Sequence, residues 1–124
     1  MSAIECHVLD SVAFQLVAAL EQYDALAVQT IAAWPDLERY RAMSDQVEQL
    51  RMYSSSLPQV RVQWVELLIA HAELAHSLWR MQYGPTQAVQ GRVGTVRDHH
   101  ADCIAALRNR CLQVIAQNGR LRDA

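Results

Sequence analysis

Lysine is absent from this chain: all eleven basic residues are arginine. Arginine favours forked contacts to carboxylates over mobile ammonium ones, and its exclusive use fits the codon bias of a GC-rich bacterial genome. The arginines form no run and no one-sided stripe, and formal net charge is −2, so nothing in the charge pattern points to nucleic acid or an anionic membrane. Glycine and proline are scarce, with 4 and 3 copies, which leaves few places to break a helix. The three cysteines, Cys6, Cys103 and Cys111, make no CxxC pair and no secreted disulfide framework. Cys103 and Cys111 lie about 12 Å apart along one helix and cannot bond to each other. Reduced thiols in a cytoplasmic protein are expected.

Glu5 precedes any useful apolar run, which argues against a signal peptide. The apolar stretch from Trp64 to Trp79 is interrupted by Glu66, His71, Glu73 and His76 and falls short of the ~20 apolar residues of a membrane span. There is no Ser-centred elbow, no phosphate loop and no pair of inward-facing carboxylates, so no complete set of catalytic roles is present and no enzyme is expected.

What the chain has is apolar periodicity. Its 124 residues, 52% apolar, suit one domain with a single core, and the spacing predicts an all-α protein, an antiparallel up-down four-helix bundle. The first helix, about residues 4–33, carries the seam Leu9, Val12, Leu16, Leu20, Tyr23, Ala27, Ile31 and Trp34, and Pro35 ends it. The second, about 36–53, has Asp36 at its start and a thin stripe of Tyr40, Met43, Val47 and Leu50. The third, about 57–82, is the most apolar, with Ser56 expected as N-cap and Pro58 in its first turn. Its core face is read as Trp64, Leu67, Leu68, His71, Leu74, Ala75 and Leu78, its polar strip as Gln59, Gln63, Glu66, Ala70, Glu73, Ser77 and Arg80. The fourth starts at Thr86 or at Thr95, whose Thr-x-x-Asp pattern resembles a capping box, and ends near residue 118 with Gly119 as cap.

Two features bear on function. The first and third helices carry extra apolar rows, Phe14, Val17 and Val28 on one, Val65, Ile69 and Trp79 on the other. Left in water they would form a patch of the kind that marks an interface, so a homodimer or a docked helical partner is expected, with Trp79 as anchor. This makes the leading reading a non-enzymatic bundle acting through protein contacts, such as an adaptor or small chaperone. The second feature is a pair of histidines within apolar stripes. If the fourth helix starts after Pro85 and runs antiparallel to the third, residues whose numbers sum to about 171 share a height, and His71 and His100 meet that condition. With Cys103 they offer nitrogen and thiolate ligands for a metal or small ligand, the alternative reading, although no cofactor is expected under the leading one. Glu73 and His76 have the Glu-x-x-His spacing of di-iron bundles, but no second such motif exists, and a surface ion pair with Arg80 is the expectation there.

Overall fold

In the computed structural model, which describes residues 3–84 and 86–123, four α-helices follow one another: α1 (Ala3–Ala32), α2 (Leu37–Ser55), α3 (Arg61–Tyr83) and α4 (Gln87–Asp123). They form an antiparallel bundle. The helix α1 packs on α2 and α4, and α3 packs on α4 and more lightly on α2. The helices α1 and α3 therefore lie across a diagonal of the bundle.

Local chemistry explains the boundaries. Pro35 cannot continue α1, and the chain turns over Ala33–Pro35 into Asp36, whose carboxylate accepts from the backbone N–H groups of Glu38 and Arg39 at 3.1 and 3.2 Å. The expected N-cap of α3 is displaced: Ser56 closes α2, and Pro58–Val60 make one 3₁₀ turn before α3 begins at Arg61. The cause is packing. Leu57 and Val60 are both fully buried, and drawing both side chains under the bundle tightens the backbone there. Thr86 decides between the two starts for α4, since its hydroxyl accepts from the N–H of Val89 at 3.2 Å and the helix runs from Gln87 without a break. Thr95 lies inside it and returns its hydroxyl to the carbonyl of Gly91. Nor does Gly119 cap the helix, which continues to Asp123. Asn118, buried in those last turns, donates to Asp10 of α1 at 3.1 Å and fastens them to the bundle.

On α3 the buried sector is wider than the periodicity suggests on one side. Trp64, Leu67, Leu74 and Leu78 are buried as expected, but so are Ala70 and Ser77, assigned above to the polar strip. Their small side chains let α4 approach closely on that side.

The core falls into two apolar clusters. The larger contains Leu16, Leu20, Met43, Leu50, Leu67 and Leu107; the smaller contains Leu74, Leu78 and Val96, with Ile31, Trp34 and Met81 against it. An aromatic trio of Trp34, Tyr40 and Trp79 packs edge to face near the smaller cluster, with ring centroids 5.0 to 5.8 Å apart. Among the described residues α1 alone is long and apolar enough to cross a membrane by length and composition. Here its Leu16, Leu20 and Tyr23 lie in the bundle core.

A buried tyrosine held between two histidines

Where the two clusters meet, a polar layer crosses the core. Tyr23 from α1 is fully buried, and its hydroxyl lies 2.7 Å from Nδ1 of His71 on α3 and 2.7 Å from Nε2 of His100 on α4. The α3–α4 register places both histidines at this height: Arg110 of α4 donates to the carbonyl of Gln59 at 3.0 Å, as antiparallel helices with a short connection require. The expected His71–His100 meeting occurs, but through a third residue. Both imidazole rings are tilted against the phenol ring, with centroids 5.8 and 5.5 Å away.

A phenolic hydroxyl has one proton to donate. In the neutral layer it donates to one ring nitrogen and accepts an N–H from the other, so the two imidazoles present opposite protonation to it. Burial enforces that neutrality. It pushes the Tyr23 hydroxyl well above its ordinary range, with the nearby Asp24 carboxylate adding to the effect. The same desolvation lowers His71, and lowers His100 to about 4 with added repulsion from His71 and His99.

Cys103 does not join the layer. Its sulfur lies 3.6 Å from Nε2 of His99, one turn back on α4, and burial, then Glu66, Asp102 and Glu73, push its thiol up, which opposes nucleophilic use. Cys111 is raised to about 11 by burial. Among the described residues no three His, Cys, Asp or Glu side chains converge to hold a metal ion. The two histidines instead converge with a phenol oxygen, a donor that the sequence reading had counted only as an apolar seam residue. Its neighbourhood is open on one side: a cleft of about 260 Å³ between α1 and α4 is lined by Ala27, Val28, Ile31, Arg97 and His100, with Asp24 at its edge.

The interface candidates occupy several different environments. Phe14 and Val28 are exposed on α1, Val65 and Ile69 on α3, and because these helices are diagonal their outer faces point to opposite sides of the bundle. They make two surfaces, not one patch. Val17 packs against the core, and Trp79 is half-buried, its ring against those of Trp34 and Tyr40 of the same chain. Val62, passed over in the sequence reading, is 63% exposed and extends the α3 row by one turn. The ion pair expected among Glu73, His76 and Arg80 is not formed; among the described residues these three make no salt bridge.

Fold and site together define a four-helix bundle with a buried His–Tyr–His layer. The chain matches no known protein family, and no curated protein or solved structure is similar to it.

Proposed function

We propose that this protein acts through protein–protein contacts, and first through a homodimer formed on the outer face of α3. The observation that carries this reading is the exposed row Val62, Val65, Ile69 and Ala72, spaced three, four and three residues apart. That is the a/d spacing of a coiled-coil seam. When two such seams pack antiparallel about a two-fold axis, each a position shares a layer with a d position of the other copy. Centred near residue 67, Val62 shares a layer with the second copy's Ala72, and Val65 with its Ile69. The row is thus complementary to itself, which favours a second copy over an unrelated helix. Light scattering behind size exclusion is expected to return twice the 14.0 kDa of one chain at micromolar concentration. Ile69→Glu should return the monomer mass with an unchanged helical circular dichroism spectrum, since the residue is exposed on the single chain, and should lose only the stability that the dimer adds. A wild-type monomer throughout that range would refute the dimer.

A second reading, a metal-binding bundle, is supported by the convergence of His71 Nδ1, His100 Nε2 and Tyr23 Oη from three helices. Both imidazoles are held neutral and so are ready ligands, and a cation would take up the phenolate that burial otherwise disfavours. This set replaces the His71, His100 and Cys103 set, because Cys103 is turned to His99. Titration of the metal-free protein with Cu²⁺ and Zn²⁺ tests it. Binding should release a proton from Tyr23 and be abolished in Tyr23→Phe; stoichiometric binding retained by that variant would place the metal elsewhere.

A further inference from the structure

We propose that the cleft between the end of α3 and the start of α4 binds a small phosphomonoester. The cleft measures about 300 Å³ and is lined by Ser77, Arg80, Ala88, Val89 and Arg92. Its polar side chains are two guanidinium groups and one hydroxyl, and no carboxylate lines it. Among the described residues Arg80 and Arg92 make no salt bridge, as is also true of Arg41, Arg61, Arg108 and Arg110, but these two border the same cleft. Two arginines beside one cleft can hold an anion from two sides, and a phosphate matches their planar forks and offers an oxygen to each.

Two further observations point into the same space. Ser77 is only 3% exposed, borders the cleft, and its hydroxyl has no hydrogen-bond partner among the described residues. Unlike the oxygens of Ser54, Gln59 and Gln63, the Ser77 hydroxyl is not sealed from solvent, so it can donate to an oxygen acceptor bound in the cleft. The first turn of the 37-residue α4, to which Ala88 and Val89 belong, carries no acidic residue. Thr86 occupies the N–H of Val89, and the N–H groups before it lie at the positive end of the helix, where anions are stabilised.

The space beyond the arginines favours an organic ester over free phosphate. A second hollow shares Arg80 and Val89 with the first and is bordered by Tyr83, whose ring is 85% exposed. An apolar wall with a bare aromatic face beside a phosphate position suits a flat ring carried on the ester.

Calorimetric titration of the full chain with phenyl phosphate and with inorganic phosphate tests the assignment. Phenyl phosphate is expected to bind about tenfold or more tightly than inorganic phosphate. The double variant Arg80→Gln, Arg92→Gln should lose at least about a hundredfold of that affinity, and Ser77→Ala part of it. Both arginines are exposed, so the double variant should keep the wild-type Tm, and circular dichroism checks that Ser77→Ala is folded. Absence of binding at millimolar phenyl phosphate, or wild-type affinity in the double variant, overturns the site. Equal affinity for the two probes overturns the assignment of an organic ester.

Discussion

Tyr23→Phe is expected to lower the unfolding free energy by about 3 kcal/mol at neutral pH, the sum of leaving one buried N–H and one buried ring nitrogen without a partner. The substitution keeps the ring and its packing and deletes only the hydroxyl that both histidines use at 2.7 Å. For a domain of this size that corresponds to a fall in Tm of about 10 °C. His71→Leu gives the contrast. It removes one partner and its polar atoms together, leaves the Tyr23 hydroxyl bonded to His100, and should cost about 1 kcal/mol, because a buried polar group replaced by an apolar one of similar shape leaves little unsatisfied. Urea unfolding of the two variants and their combination makes a double-mutant cycle. A Tyr23→Phe protein as stable as wild type would mean that the hydroxyl contributes nothing net.

Acid should destabilise the fold as pH falls below about 6.5. In the folded chain His100 is held to about 4, against 6.5 for an ordinary histidine. Between those values the unfolded chain takes up a proton that the folded chain refuses. Stability from this group is therefore complete above about pH 6.5 and is lost as pH falls toward 4, by about 3 kcal/mol in total for a shift of this size in a residue only 2% exposed. His71 is shifted in the same direction by the same cause and adds to the slope. Hydrogen bonding sharpens the effect. One proton added to an outer ring nitrogen leaves the Tyr23 contacts intact, but with both imidazoles cationic each directs an N–H at the hydroxyl, whose own proton then has no acceptor. Urea midpoints at pH 7, 6 and 5 should fall steadily for the wild type. The double variant His71→Leu, His100→Leu should show a much flatter profile, retaining only the carboxylate contribution. Parallel profiles for the two proteins would show that the histidines are not the source.

Much of this arrangement was legible before any coordinates. Spacing of apolar residues at three and four positions fixes where a helix can form and which side it buries, and Pro35 and Thr86 mark boundaries by chemistry that acts within a few residues. The His71–His100 pairing followed only for one of the two possible starts of α4, the one after Pro85, and the Thr86 hydroxyl on the N–H of Val89 decides for it. Tyr23 did not follow. Its helix meets α4 with two helices intervening in sequence, no turn fixes that register, and a tyrosine in a seam reads as apolar until the atom facing its hydroxyl is known. The surroundings of Trp79 were not legible for a related reason: the periodicity placed it outside the core stripe of α3, and only the tertiary structure sets its ring against Trp34 of the α1–α2 turn and Tyr40 of α2.

The sequence alone therefore determined four helices, most of their ends to within a few residues though not the start of α4, and an apolar row on α3 outside its core face, since each depends on interactions between near neighbours along one helix. Tertiary structure decided which polar atoms meet. It brought a phenol from α1 between imidazoles from α3 and α4, put Ala70 and Ser77 inside, and left Arg80 and Arg92 facing one cleft without carboxylates. Hydrogen bonds and ion pairs act over about 3 Å, so a single turn of slippage between two helices would exchange every such partner while leaving each apolar stripe unchanged.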